Sequence, residues 1–219
     1  MPTTVQAIID RASSTLNDIG LVRWIQSDMI KAINDAEQSV LESRPDLFET
    51  NASMALVSGP RQTPPSDCYH LMDVIYNVTA ADVPISSITQ IKRSDLDKCR
   101  ADWMLDDPMK LVQHWMQDDR ERSVFYVYPS QPTAGAQLGR VQIRYSKRPT
   151  ALSGVSENLN VPEEMINAVY YFVVMRMLER DEKFAGSPQA ERFMGMFAQM
   201  VSAKDGGEDT AEAYRASRE

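Results

Sequence analysis

The run from residue 165 to 178 constrains this chain most, because it is apolar almost all the way round a helix, interrupted only by Asn167 and Arg176. At 14 residues it falls short of the ~20 needed to span a bilayer, and Arg176 lies inside it. A helix with no polar face has to be covered from several sides. Other segments must therefore pack around it as a bundle. Pro162 suits a first helical position, and Glu163 and Glu164 complement the positive end of the helix that follows. Ser187-Pro188 predicts the start of one more helix, with Phe193, Met194, Phe197, Met200 and Val201 as its apolar face.

The N-terminal segment supplies two more helices. Val5, Ile8, Ile9, Ala12 and Leu16 recur at helical spacing, and Gly20 follows as a stop. Ser27 with Asp28 then opens a helix carrying Met29, Ile30, Ile33, Ala36, Val40 and Leu41, which Pro45 ends. The two form an αα-hairpin with one apolar seam, joined by a compact turn containing Trp24.

Between the helical ends the periodicity changes to strands. Residues 71–78 (LMDVIYNV) are rich in β-branched and aromatic side chains, with turn chemistry at Gly59-Pro60 and Pro64-Pro65 on their N-terminal side. Residues 111–116 and 124–128 predict a hairpin with a long polar loop. Residues 94–103 predict a short helix capped by Ser94 or Asp95. Along 140–148 the alternation is clean: Arg140, Gln142, Arg144, Ser146 and Arg148 share one face, and Val141, Ile143 and Tyr145 the other. Helices, then strands, then helices indicate an α+β fold. The N- and C-terminal helices are expected to form one helical bundle with an inserted antiparallel β lobe and an extended C-terminal tail. The expected boundaries are a helical hairpin over 1–46, a β-rich lobe over 47–150, bundle helices over 151–203 and a flexible tail over 204–219. That tail (KDGGEDTAEAYRASRE) is too polar to pack alone and is expected to be disordered in the free protein.

Composition narrows the function class. A formal net charge of -8 argues against broad binding to nucleic acid or to anionic lipid, and no membrane partner is expected. Two cysteines, Cys68 and Cys99, make no disulfide framework, and the first residues lack the basic and apolar regions of a signal peptide. His70 and His114 are the two histidines, and no G-x-S-x-G elbow accompanies any serine. Neither a phosphate-binding loop nor a zinc motif occurs. Asp106-Asp107 and Asp118-Asp119 are acidic pairs at which a cation role is weighed against ordinary turn work. The expectation is no catalytic residue, no metal and no cofactor.

What remains are contact surfaces. Arg140, Arg144 and Arg148 form one concentrated basic feature, read as a subunit contact or a solvated sheet face in preference to a DNA contact. Asp118 and Asp119, in a stretch of mixed charge, read as a solvated loop or a rim contact between subunits. Methionines clustered in the two C-terminal helices hint that some helix surface is shared with a neighbour.

Taken together, the segments resemble the phage adaptor proteins of the head-to-tail connector. The likeness lies in V-Q-A-I-I-D-R-A at 5–12, in Arg23-Trp24, and in Ile33-Asn34-Asp35-Ala36. It continues through Arg61-Gln62-Thr63-Pro64, Leu71-Met72-Asp73-Val74 and Phe125-Tyr126-Val127-Tyr128-Pro129. It ends with Tyr145-Ser146, Val161-Pro162-Glu163 and the paired C-terminal helices. The resemblance implies a ring of subunits, expected to be twelvefold, beneath the portal protein ring of a tailed phage. Portal would lie on one face and a downstream neck or tail protein on the other, with DNA passing through without specific binding. The protein would be made in the host bacterial cytoplasm and located in the virion at the head-to-tail interface. In similar adaptors a C-terminal segment reaches into the portal, which makes Gly206, Gly207, Tyr214, Arg215 and Arg218 the portal-binding candidates. Two other readings stay open: another neck or tail-completion subunit, and a DNA-packaging accessory that uses the three arginines.

Overall fold

The computed structural model describes residues 3–117, 121, 123–133, 138–180 and 186–202. In chain order its elements are α1 (Val5–Thr15), α2 (Gln26–Ser43), β1 (Glu49–Ala55), β2 (Gly59–Gln62), β3 (Cys68–Val78), β4 (Pro84–Ser87) and β5 (Thr89–Gln90). Then follow α3 (Arg93–Cys99), β6 (His114–Gln117), β7 (Phe125–Gln131), β8 (Arg140–Lys147), α4 (Ile166–Glu179) and α5 (Pro188–Ser202). The fold is α+β, as the order of periodicities predicts. The contacts divide the chain into two units, one built from the residues up to Leu47 with those from Pro149 onward, the other from Phe48–Arg148. The tail over 204–219 lies outside the described residues.

In the helical unit α4 is the central element. Ala168, Val169, Tyr170, Val173, Val174, Met175, Met177 and Leu178 are buried along it, so it is covered on several sides as its composition requires. The α1 seam of Val5, Ile8, Ile9 and Ala12 and the α2 seam of Met29, Ile30, Ile33, Ala36, Val40 and Leu41 are buried too. Each large apolar side chain so buried contributes roughly 1.5–3 kcal/mol. α5 packs on an aromatic band, with Phe193 edge-on to Tyr170 at 6.4 Å and Phe197 edge-on to Phe172 at 5.1 Å. Met194, expected on that face, is instead 57% exposed, and the buried line along α5 runs through Ala190 and Val201.

Helix ends correct the sequence reading in three places. α1 stops at Asn17, not Gly20. Asn17 adopts φ 53°, and the Asn17 and Asp18 N–H groups donate to the carbonyls of Ser14 and Ser13 at 3.2 and 2.9 Å. That is a Schellman closure, for which asparagine is the usual substitute for glycine. α2 begins at Gln26 without a side-chain cap from Ser27 or Asp28. Pro162 precedes a short 3-10 turn over Glu163–Met165 instead of occupying the first position of α4.

The β unit contains two four-stranded sheets. One has the order β1-β8-β3-β4 and is antiparallel throughout. The other has the order β2-β7-β6-β5, and here β5 runs parallel to β6, so the lobe is not purely antiparallel. Both sheets contribute to one core: Leu71, Val74, Val141, Ile143 and Tyr145 from the first, Trp115, Phe125 and Val127 from the second. The predicted hairpin is present as β6 and β7, with His114 opposite Tyr128 and Gln117 opposite Phe125. Gly59-Pro60, expected as a turn, begins the edge strand β2, where a proline's missing N–H costs no ladder bond. α3 is shorter than expected. It ends at Cys99, takes no side-chain cap from Ser94 or Asp95, and leaves Trp103 in a separate 3-10 turn.

Candidate interaction surfaces

β8 is an inner strand of its sheet, and its alternation is as the sequence predicts, with Val141, Ile143 and Tyr145 buried. The arginines on the opposite face are not a bare cationic stripe. Arg144 lies opposite Asn51 on β1 and Asp73 on β3, and its Nε is 3.0 Å from the Glu49 carboxylate. Arg140 donates to Ser53 Oγ at 3.0 Å and sits 3.7 Å from the Asp82 carboxylate. Arg148 lies past the strand's end, 5.4 Å from the Tyr69 ring centroid, and its Nε donates to the Cys68 carbonyl at 3.4 Å. The face is a mosaic of both signs. Such exposed pairs are each worth about 0–1 kcal/mol. Asp118, Asp119, Gly206, Gly207, Tyr214, Arg215 and Arg218 lie outside the described residues.

The groups considered for chemistry are dispersed. His70 is on β3 and His114 on β6, the latter stacked on Tyr128 with centroids 6.2 Å apart. Among the described residues no three His, Cys, Asp or Glu side chains come together as metal ligands do. Cys68 and Cys99 are both free thiols, and burial with the neighbouring Asp67 charge pushes the Cys68 thiol up to about 11. Asp106 does structural work. It pairs with Arg100 at 2.6 Å and accepts from the Tyr128 hydroxyl at 2.8 Å. That bond holds the Tyr128 phenol above its usual pKa.

Two apolar surfaces stand out that sequence reasoning passed over. The first is the α1–α2 turn. Asp18 accepts from the backbone N–H groups of Val22, Arg23 and Trp24 at 3.0, 2.9 and 2.9 Å, and these bonds, Trp24's first, hold its carboxyl below the usual range. The Trp24 indole donates to the Met177 carbonyl at 2.9 Å, satisfying a last-turn carbonyl of α4. On this fixed turn Ile19 and Val22 are 82% and 85% exposed, and Ile25 is exposed beside them.

The second surface is the loop over 104–111. Its N-terminal anchor is Trp103, fully buried, with its indole donating to Asp97 at 2.8 Å. Asp106 holds the middle, and the Met109 N–H donates to the Ser130 carbonyl at 2.9 Å while the Gln131 amide donates to the Met109 carbonyl at 3.0 Å. Met104, Leu105, Met109 and Leu111 are nevertheless exposed, Leu105 to 86%. The available sequence signal was that Ile19, Val22 and Ile25 fall outside both helical seams, and that four large apolar residues crowd MLDDPMKL without helix or strand spacing. Clustered exposed apolar side chains on soluble folds mark contact sites.

The profile of the SU10 adaptor protein family matches residues 3–218. The chain belongs to the SU10 adaptor protein family. It is a phage adaptor, as the resemblance read from the sequence implied. No curated protein sequence matches it. Among solved structures it is similar to a chain in the neck of an empty GTA particle with C6 symmetry, at 14% identity over 88% of each chain and a TM-score of 0.28. It is also similar to a chain in the neck of a native GTA particle with C12 symmetry, at 16% identity over 88% of this chain and 94% of that one, with a TM-score of 0.24. At such scores the likeness establishes no shared fold, and the assignment rests on the family match.

In this adaptor several of the residues that carry the resemblance hold the fold. Trp24 pins the helical turn to α4. Asn34 on α2 exchanges two hydrogen bonds with the Leu152 backbone, at 2.9 and 2.8 Å. Gln62 bonds both the N–H and the carbonyl of Val57 across the turn into β2. Tyr128-Pro129 is a cis peptide whose tyrosine belongs to the Asp106 cluster.

Proposed function

We propose that this adaptor is the ring subunit that joins the capsid portal to the next neck or tail component of a tailed phage, with DNA passing through the ring. The match of its sequence to an adaptor family over nearly its whole length carries this reading. The charge distribution supports it. The residues up to 47 and from 149 hold 19 acidic and 11 basic side chains, whereas 48–148 hold 12 of each. The net charge of -8 therefore falls in the sequence outside 48–148, and an excess of carboxylates beside a channel would let DNA phosphates slide without being held. The host bacterial cytoplasm is the proposed place of synthesis and the head-to-tail interface of the virion the proposed location. No catalytic step is assigned.

The residues from 204 onward, with Gly206, Gly207, Tyr214, Arg215 and Arg218, are proposed to fold onto the portal on binding, as polar segments do when a partner supplies the surface they lack. Arg140, Arg144 and Arg148 with Asp118 and Asp119 are proposed as subunit contacts. The carboxylates beside Arg140 and Arg144 weigh against the DNA-accessory reading, because phosphate would have to displace them. Removing residues 206–219 is expected to abolish binding to the portal ring while far-UV circular dichroism and melting temperature hold. A truncated chain that binds portal as tightly as the full one would contradict the reading.

A further inference from the structure

A strand at the edge of a sheet carries one row of backbone groups that its own sheet does not pair, and stable folds keep such rows short or blocked. Among the described residues three of the four sheet edges are blunted in this way. β5 has two residues, β4 has four and opens on Pro84, and β2 has four, with Pro60 inside it and a register shift between Gly59 and Arg61. β1 is not blunted. Its seven residues pair with β8 in unbroken register, without proline, glycine or a basic side chain. We propose that the free edge of β1 takes up an extended segment of another protein as an added strand, with apolar and acidic side chains alternating along that segment. The inference stands on the β unit alone and not on the ring reading above.

The open groups follow from the ladder. Antiparallel partners alternate between residues that exchange backbone bonds and residues that do not. Just past the strand the Leu56 N–H donates to the Gly139 carbonyl at 2.9 Å. Met54, Ala52 and Thr50 therefore turn their N–H and C=O groups to β8, and Ala55, Ser53 and Asn51 turn theirs outward. No backbone group among the described residues meets that outward row. The two faces of β1 name the occupant. On the inner face Ala52 and Met54 pack against the sheet core but stay only partly buried, so the apolar layer runs to the edge and stops uncovered. On the outer face two arginines of β8 lean over β1: Arg140 bonds Ser53 Oγ and Arg144 approaches the Glu49 carboxylate, at 3.0 Å each. The Nε atoms of both are shielded from water without an aligned acceptor. A segment paired with β1 sets one row of side chains beside Ala52 and Met54 and the other row within reach of the two guanidinium groups. Apolar residues fit the first row and carboxylates the second. Backbone pairing then supplies affinity and the alternating side chains specificity. A second β1 in that place would offer Asn51, Ser53 and Ala55, none of them charged, its one carboxylate, Glu49, being engaged with Arg144 already. The segment lies at the edge of the sheet and leaves the face above β8 to the subunit contact proposed for the same arginines.

The probe is a short synthetic peptide that alternates valine and glutamate, titrated into the full-length chain and followed by fluorescence anisotropy. Saturable binding is expected, with the amides of residues 51, 53 and 55 becoming protected from hydrogen exchange. A peptide that alternates valine and lysine is expected to bind at least about tenfold more weakly. N-methylation of the glutamate amides, which pair with the edge, is expected to abolish binding, and N-methylation of the valine amides to leave it. In the chain, Asn51→Pro removes an outward N–H and no bond to β8. Its melting temperature is expected to hold while affinity for the glutamate peptide falls at least about tenfold. The methylated peptides decide the matter even where that variant fails to fold. No binding by the natural chain, protection at strands other than β1, or equal effects of the two methylations would overturn the proposal. Edge amides already protected in the isolated chain, with a doubled mass by light scattering, would assign the edge to a second copy and overturn it as well. None of these outcomes touches the ring reading, which is tested by mixing with portal.

Discussion

The two units of this adaptor solve the same problem, fixing loop backbone without regular structure, with different chemistry. In the helical unit carboxylates do most of it. Asp18 holds the α1–α2 turn. Glu157 accepts from the backbone of Ser153 and Gly154. Glu37, fully buried on α2, accepts from the backbone and side chain of Asn160 at 2.6 and 2.7 Å. In the β unit, Asp106 apart, neutral amides do it. Asn77 donates to the Val112 carbonyl and accepts from its N–H at 2.7 and 2.9 Å. Gln131 accepts from Gly139, and Gln62 closes the turn before β2. The contrast follows the charge, since the helical unit carries all the net negative charge and the β unit none. It also implies that the helical turns held by Asp18, Glu37 and Glu157 respond to pH, whereas the β-unit turns held by Asn77, Gln62 and Gln131 do not.

The largest expected effect tests the β core itself. Trp115 is fully buried between the sheets, and Trp115→Ala is expected to cost about 3–5 kcal/mol in urea unfolding followed by near-UV circular dichroism. A loss under about 1 kcal/mol would mean that Trp115 is not the keystone its burial indicates. Next comes Asn77→Ala, which strands both backbone groups of Val112. At about 1–2 kcal/mol for each of the two buried groups left unpaired, the lower part of the usual range, it should cost about 2–4 kcal/mol, equally at pH 4 and pH 8.

The carboxylates sharpen the contrast because two of them have opposite signs. Burial holds Glu37 above its ordinary value, against the opposing bonds from Asn160. Its contribution is therefore fully present below the unfolded pKa and lost as pH rises through the folded one. Relative to Glu37→Gln, the natural chain is expected to be more stable at about pH 4 than at about pH 8. Asp18, held low by the Trp24, Val22 and Arg23 N–H groups, contributes above its unfolded pKa and loses that contribution as pH falls through the folded one. The margin of the natural chain over Asp18→Asn is expected to be the smallest of the set, widest near neutrality and narrowing below about pH 4. Urea melts of both variants across that range check the pair, and parallel pH profiles would break the comparison.

How much of this was legible in the sequence depended on whether the residues or their partners decide the structure. α1, α2, α4, α5, β3, β7 and β8 were readable because their apolar spacing is strong in itself. β1 was not: E-T-N-A-S-M-A has little β preference, and it is a strand because seven of its residues pair with β8. β5 is two residues held by β6, beyond any periodicity. Asn17 as the helix stop was hidden by Gly20 three positions on, a stronger residue-level signal at the wrong place. The arginine face was legible as a face, but not its pairing, because Glu49 and Asp82 reach it only through the fold. The exposed turn and loop were hidden in plain sequence, since apolar residues are expected inside and only coordinates show them outside.

The central claim is that this adaptor works by assembling on another ring, and mass in solution tests it most directly. Light scattering of the chain alone and mixed with its portal ring is expected to show one defined multi-subunit complex that forms on mixing. Masses that remain those of the separate components at every salt and concentration would contradict the claim.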